Sequence, residues 1–332
     1  MEKVKSIKEI ARLAGVSTAT VSRVINQNGR FSKETEERVR RIIRQTEYVP
    51  NMSAKGLRTN RTRVVGLVVP DITNPHFSSL VLKLEMNFFE HGYSCLICNT
   101  NESEKLERKH IHTLSAQNVS GIVLISGTRN YSELDDVPVI YVDRPSRSQN
   151  SSGVMIESDN EEGGYLATQE LLNAGCRHLV ILKCLSSDTN QFSRYRGFQR
   201  ALAEHGIEED PHLYVDLPEV SSEKARNAIT WLLEQNFHFD GIMCTTDTIA
   251  AGALIALREH GLSVPEDVLV TGFDDSQLAI SCGPGITSVH QDVSKMAQLA
   301  TGLLLEMICG KMPKQTYYQL PVYLEVRAST RR

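Results

Sequence analysis

The sequence predicts an α/β protein in which a small headpiece of three helices, of helix-turn-helix type, precedes two doubly wound parallel-sheet lobes. Three observations predict it. The first is a charge split. Residues 1–62 hold fourteen Lys/Arg against six Asp/Glu, a surplus of eight positive charges, while the chain of 332 residues is net −4, which leaves the remainder at −12. The second is a dense series of helix-start and helix-stop signals in the first fifty residues. The third is the alternation, from residue 63 onward, of short apolar runs with stretches of helical periodicity.

Ser6-Ile7-Lys8-Glu9 forms a capping box that opens a helix with Ile7, Ile10, Ala11 and Ala14 at helical spacing, and Gly15 ends it. Val16 is the apolar turn residue, and Ser17 caps a second helix running from Thr18 to Asn26. Val21, Val24 and Ile25 face inward on that helix, whereas Thr18, Ala19, Ser22, Arg23 and Asn26 stay outside. After the Gln27-Asn28-Gly29 turn, Ser32 caps a third helix whose core stripe is Val39, Ile42 and Ile43, and Pro50 marks the chain beyond it as non-helical. A plain bundle for protein contacts would not need a second helix that is short, small-residued outward and headed by a Ser/Thr cluster. A helix that enters a major groove does.

The body begins with the apolar run Val64–Val69, which ends in Pro70-Asp71; a helix from about Phe77 to His91 then leads to a second run, Ser94 to Cys98. Further strands read at Gly121–Ile125, Val139–Val142, Leu179–Leu182, Gly241–Cys244 and Val268–Thr271. Cys95 and Cys98 have the spacing of half a zinc or redox motif, but they lie in a run that reads as a buried strand, with no second pair at metal spacing. The seven cysteines are scattered and odd in number, which fits reduced thiols and no disulfide framework.

Ligands of parallel sheets settle at the carboxyl ends of strands. The residues there are Asp71 and Asn74, Asp143 and Arg144, Thr246 and Asp247, and the pair Asp274-Asp275. Carboxylates and a guanidinium around a cleft suit a polyhydroxylated ring, held through bidentate hydrogen bonds. Asp71 and Asp247 read equally as helix N-caps, and Asp275 reads as structural.

The stretch from Ile7 to Asn26 resembles the headpiece of the LacI/GalR family of transcription regulators. The resemblance continues through Tyr48-Val49-Pro50-Asn51 and Ala54-Lys55-Gly56-Leu57-Arg58, and in the body through Asn74-Pro75, Arg194-Tyr195-Arg196-Gly197-Phe198, Thr246-Asp247, Val264-Pro265-Glu266-Asp267 and Gly272-Phe273-Asp274-Asp275. It implies a headpiece over residues 1–50, a hinge helix over 51–62 and an effector-binding and dimerisation body over 63–332, with lobes of periplasmic-binding-protein type. The N-subdomain would hold about 63–160 and 292–321, and the C-subdomain about 161–291 and 322–332.

The implied DNA contacts are Ser17, Thr18, Ala19, Thr20, Ser22, Arg23 and Asn26, with Asn51, Ala54, Leu57 and Arg58 from the hinge. Leu57 would act as the minor-groove wedge, and Gly56 beside it lowers helix propensity so that the hinge orders only on DNA. The implied effector contacts are Asp143, Arg194, Thr246 and Asp274, with Asn74, Phe77 and Gln291 from the other lobe; at Thr246 family members often carry Asn. The expected partners are operator DNA, a second copy in a homodimer, and a small-molecule effector, a sugar or sugar phosphate. A purine or nucleoside, or a phosphoprotein corepressor, is the alternative, and a binding protein without DNA specificity a further one.

No cofactor, metal or catalytic residue is expected. The chain has no GxSxG elbow, P-loop, HExxH or GxGxxG after the first strand, so an enzyme finds no support. With no apolar leader at Met1–Ser6 and no apolar run of membrane-spanning length, the expected location is the cytoplasm. No leucine heptads follow Tyr323–Arg327, so the expected assembly is a dimer.

Overall fold

The structure is a computed structural model that describes residues 6–48, 62–125, 134, 137–144, 153–184, 189–208 and 210–332, without the side chains of Asn26 and Thr189. The chain divides into two compact units, Met1–Arg63 and Val64–Arg332.

In the first unit, helix α1 (Ile7–Ala14) starts where the Glu9 amide donates to Ser6 Oγ at 3.3 Å and the Ser6 amide donates back to the Glu9 carboxylate at 3.2 Å. It stops at Gly15, whose φ of 63° suits a residue without a Cβ. Ser17 Oγ accepts from the Thr20 amide at 3.1 Å to start α2 (Thr18–Asn26), and Ser32 Oγ does the same for Thr35 at 3.2 Å to start α3 (Lys33–Thr46). Each such cap contributes about 1 kcal/mol. The three helices close on Ile10, Ala11, Ala14, Val21, Val24, Val39 and Tyr48, all buried.

The second unit carries two six-stranded sheets. The first is built from β1 (Val64–Val69), β2 (Ser94–Asn99), β3 (Gly121–Leu124), β4 (Val139–Val142) and β5 (Val154–Ser158). The second is built from β6 (Leu179–Cys184), β7 (Tyr214–Leu217), β8 (Gly241–Cys244), β9 (Leu269–Asp274) and β10 (Thr287–His290). Two late strands, β11 (Tyr317–Leu320) and β12 (Tyr323–Glu325), complete one sheet each, giving the orders β11-β5-β4-β3-β1-β2 and β12-β10-β9-β8-β6-β7. All pairings are parallel except β10 with β12.

Helix α4 (Pro75–Glu90) and α11 (Val293–Ile308) bury Phe77, Leu80, Leu84, Met296 and Ala300 against one face of the first sheet; α5 (Glu104–Ala116) puts Ile111 and Leu114 against the other. On the second sheet, α6 (Asn160–Asn173) and α7 (Thr189–Glu204) cover one face, and α8 (Ser222–Glu234) and α9 (Asp247–Glu259) the other. A short α10 (Gln277–Ser281) follows β9. The chain therefore passes between lobes three times: before α6, between β10 and α11, and between β11 and β12.

Two expectations need correction. Ser94–Asn99 is an edge strand and not a buried one: Leu96 and Ile97 are 37% and 51% exposed, and among the described residues no further strand pairs beyond β2. Strands β5, β7 and β10 also join the sheets, although no apolar run announced them. All seven cysteines are free. Among the described residues no helix is long and apolar enough to cross a membrane.

Candidate functional site

On α2 the side chains of Thr18, Ala19 and Arg23 are exposed, and those of Thr20 and Ser22 are half-buried above the buried pair Val21 and Val24. Ser17 Oγ is committed to the cap and also lies 3.0 Å from Thr20 Oγ1, so these two hydroxyls brace the helix start. A braced N-terminus presents unpaired amides and the positive end of the helix dipole, which is where a phosphate sits well. Thr18, Ala19 and Arg23 are left free to reach outward. Asn26 keeps its place as the last residue of α2, but its side chain lies outside the described residues, as do Asn51, Ala54, Leu57 and Arg58.

In the second unit the carboxyl ends of both sheets face one seam. Asp143 follows β4 and Asp274 ends β9, and both hold a positive φ, 69° and 105°. Backbone of that kind costs about 1–3 kcal/mol per residue and persists where the surroundings over-determine it. Here it turns two buried carboxylates into the seam. His76, in the first turn of α4, stands between them. Its Nε2 is 3.1 Å from Asp143 Oδ1 and its Nδ1 is 4.0 Å from Asp274 Oδ1. Arg194 on α7 donates to Asn160 Oδ1 at 2.9 Å and to the Thr245 carbonyl at 2.6 Å. Its guanidinium lies 3.7 Å from Asp274 Oδ1 and 3.6 Å above the Phe273 ring. Gln291 Nε2 donates to Asp274 Oδ1 at 2.8 Å. Asn190 Nδ2 on α7 donates to the Asp143 carbonyl at 2.7 Å, tying the second lobe to the first.

The electrostatics follow from burial and pairing. Burial works to lower the His76 pKa, but the Asp143 and Asp274 carboxylates outweigh it and the value is raised. Burial works to raise the Asp143 pKa, and the His76 charge and hydrogen bond outweigh it, so the value is lowered. Asp274 is raised, chiefly by burial. Behind it, Asp247 is pushed up to about 7 by burial and by the charge of Asp274. Its carboxylate accepts from Ser288 Oγ at 2.6 Å and from the Ser276 amide at 2.7 Å.

The expected effector residues thus divide. Asp143, Arg194, Asp274 and Gln291 come together in one buried cluster, with Gln291 on the segment that crosses from β10 to α11. Asn74 is the N-cap of α4, its Oδ1 accepting from the His76 amide at 2.9 Å, and Thr246 is the N-cap of α9, accepting from the Ile249 amide at 3.3 Å. Both therefore have a structural task as well. The cap reading of Asp71 and Asp247 is corrected: Asp71 instead accepts from Thr73, and Asp247 is the first residue of α9 and not its cap. Phe77 is buried in the core of the first lobe, with the Arg144 guanidinium 5.0 Å from its ring centre. Asp275 holds Arg327 at 2.5 Å and His290 at 2.7 Å, a structural clamp as expected. His76, Asn190 and Asn160 were missed. His76 sits between two residues that the sequence did single out, but its partners are distant in the chain.

His76, Asp274 and Gln291 line a cavity of about 550 Å³; a separate cavity of about 620 Å³ is lined by Asp71, Thr73, Asn101, Glu102 and Arg144 from the first lobe and by Cys184, Gln191 and Pro218–Val220 from the second. Arg144 holds Glu102 there at 2.7 Å.

Residues 6–51 match the model of the bacterial regulatory proteins of the lacI family, and residues 168–330 match a periplasmic binding protein-like domain. The chain is 33% identical to the ribose operon repressor of Halalkalibacterium halodurans, over 98% of this chain and 97% of that one. It is 31% identical to the transcriptional repressor PurR of Haemophilus influenzae, over 92% of each. Among solved structures, the regulator CelR in complex with cellobiose is 31% identical over 98% of this chain and 100% of that one, with a TM-score of 0.73. The lac repressor dimer bound to operator and the anti-inducer ONPF shares the fold, with a TM-score of 0.88 over 98% of each chain at 24% identity. With a relative matched end to end and a headpiece that the family model recognises, the chain belongs to the LacI family of transcriptional regulators.

Proposed function

We propose that this LacI-family chain is a repressor that binds a pseudo-palindromic operator as a homodimer and releases or tightens it when a small sugar-like effector enters the seam between the lobes. The observation that carries the effector reading is the buried cluster of His76, Asp143, Asp274, Arg194 and Gln291, in which hydrogen bonds from His76 to Asp143 and from Gln291 to Asp274 are joined by the longer His76–Asp274 and Arg194–Asp274 charge contacts, the former between the lobes. A ligand that takes over those bonds changes how the lobes are held, and a shift between two arrangements is how such a site couples to DNA. The name of one relative, the ribose operon repressor, and the cellobiose held by CelR support a sugar.

The headpiece 1–50 reads bases with Thr18, Ala19 and Arg23, and Asn51, Ala54, Leu57 and Arg58 in the hinge 51–62 meet the centre of the site. The N-subdomain takes 63–160 and 292–321, and the C-subdomain 161–291 and 322–332. Dimerisation is supported by Leu82, Met86 and Phe89, exposed by 56%, 48% and 70% on one face of α4. The protein works in the cytoplasm and catalyses no reaction.

The test is fluorescence anisotropy on a labelled palindromic site from the region upstream of its own gene, at fixed salt, because phosphate contacts make affinity salt-dependent. Specific binding tighter than about 10⁻⁸ M, shifted by ribose or cellobiose, is the expected result. Binding no tighter than to unrelated DNA would refute it.

A further inference from the structure

We infer that Gly29, in the loop after α2, is a positioning residue for Arg23: its missing Cβ leaves a recess in which the Arg23 stem lies, and this holds the guanidinium at the angle from which it reads a base edge. The inference rests on the reading of Arg23 as a base contact.

Helix α2 ends in a double closure. The Gln27 amide donates to the Val24 carbonyl at 3.4 Å and the Asn28 amide to the Arg23 carbonyl at 3.1 Å, with Gln27 at a φ of 53°. This is the Schellman arrangement, and it folds the chain back over the last turn of the helix. Further on, Phe31 packs against the headpiece core and Ser32 caps α3. The loop is thus pinned on both sides of Gly29, by the Arg23 carbonyl and by Phe31, which keeps its backbone beside the Arg23 side chain.

A Cβ added at Gly29 would stand 3.1 Å from Arg23 Cδ, 3.5 Å from Cγ and 3.6 Å from Nε. The stem therefore runs along the loop backbone from Cγ to Nε, with the guanidinium beyond it. A methyl group there would displace the stem by a few tenths of an ångström, and the guanidinium at its end with it. Arg23 is otherwise exposed, and a freely rotating arginine loses rotamer entropy when it docks. A stem already laid against a fixed backbone loses less. Phosphate is met from many directions, whereas a guanine edge is read through two parallel hydrogen bonds in one plane. The consequence of the Gly29 contact is thus a gain in sequence preference.

Gly29 has a backbone role as well, because its φ of 93° lies beyond the left-handed well that Gln27 and Glu47 occupy at 53° and 47°. The two roles differ in what they require at position 23. Replacing a residue that serves only the turn weakens the headpiece whatever stands at 23. Replacing one that places Arg23 matters only while Arg23 is present.

The test is the ratio of affinities for the palindromic site and a scrambled duplex, measured by fluorescence anisotropy of the full chain at fixed salt. The variants are Gly29→Ala, Gly29→Asn, Arg23→Ala, and Arg23→Ala combined with Gly29→Asn. Asn adds a Cβ but accepts a positive φ more readily than Ala. Both Gly29 variants are expected to lose about fivefold or more in the ratio, the low end of what a good bidentate base contact discriminates. The double variant is expected to equal Arg23→Ala alone, and melting followed by circular dichroism checks that each headpiece folds. A measurement on the parent needs no variant: nuclear Overhauser contacts between the Gly29 α-protons and the Arg23 δ-protons are expected in the free protein, and their absence overturns the inference. Gly29 variants that keep the parent's ratio also overturn it. So does a double variant that falls below Arg23→Ala by the factor that Gly29→Asn costs the parent, which is the mark of a turn residue only. If Arg23→Ala itself keeps the parent's ratio, the base contact is refuted, a failure distinct from one confined to the Gly29 variants.

Discussion

His76 Nδ1 lies 4.0 Å from Asp274 Oδ1, which sets the first turn of α4 in one lobe against the end of β9 in the other. Burial gives this contact a pH signature. Asp247, behind Asp274, has its pKa pushed up to about 7, so the folded chain holds a proton that the unfolded chain has released. A raised folded value contributes stability that is full below the unfolded pKa and is lost as pH rises through the folded one. The raised value of His76 acts in the same sense, starting from its ordinary 6.5. Asp143, lowered from 3.8, contributes above that value and adds no slope near neutrality. The melting temperature of the 64–332 unit is therefore expected to fall as pH rises from about 3.8 through about 7, with His76 adding to the fall above 6.5. Calorimetry at constant ionic strength checks it, and a flat or rising profile contradicts the cluster as drawn.

Replacing Asp247 by Asn separates the two contributions. Asn keeps one acceptor for Ser288 Oγ or the Ser276 amide but leaves the other short of a partner, a cost of about 1–3 kcal/mol at every pH. It removes the titrating acid, so the slope below about pH 7 should shrink. A slope equal to that of the parent would place the titration elsewhere.

What could be read from the sequence depended on how far the causes lay along the chain. Ser6, Ser17, Ser32 and Gly15 act on neighbours three or four residues away, and all four start or stop a helix where expected. Strand β5, Val154–Ser158, alternates buried and half-buried residues and β7 carries Asp216, so neither shows the apolar run that marks β1. His76 owes its role to Asp143, 67 residues away, and Asn190 owes its own to a carbonyl 47 residues back. No local pattern carries that information.

Arg194 reaches the seam because α6 and α7 pack backbone to backbone. A Cβ on Gly164 would overlap the Arg194 carbonyl, and one on Gly197 would overlap the Glu161 carbonyl. Gly197→Ala must push the helices apart, costing about 1–3 kcal/mol or more. The variant should melt lower and lose effector response while operator binding persists. An unchanged response in a binding titration would show that the close approach is not needed to place Arg194.

Arg23 is exposed on the outward face of α2, whose start is braced by Ser17. Arg23→Ala is expected to cost about 1–3 kcal/mol per half-site if its guanidinium meets a base edge, and to relax sequence preference. Effector affinity should be unaffected. Anisotropy on specific and scrambled duplexes distinguishes this from a phosphate contact, which would weaken both alike and reduce the salt slope.

The apolar face of α4 gives the last prediction. Leu82, Met86 and Phe89 recur at helical spacing and are exposed by 56%, 48% and 70%, while Phe77, Leu80 and Leu84 on the opposite face are buried in the core. A helix apolar on both sides is covered on both sides in its working state. Phe89→Asp changes a side chain that is mostly in solvent within one chain, so the monomer should keep its stability to within about 0.5 kcal/mol. In a dimer that buries this face, the same change places an uncompensated carboxylate in an apolar contact, which costs several kcal/mol. Sedimentation velocity should shift from dimer towards monomer. Operator affinity should fall with it, because two headpieces on separate chains lose the effective concentration that joins their half-sites. A Phe89→Asp variant that sediments with the parent would mean the copies meet through another face.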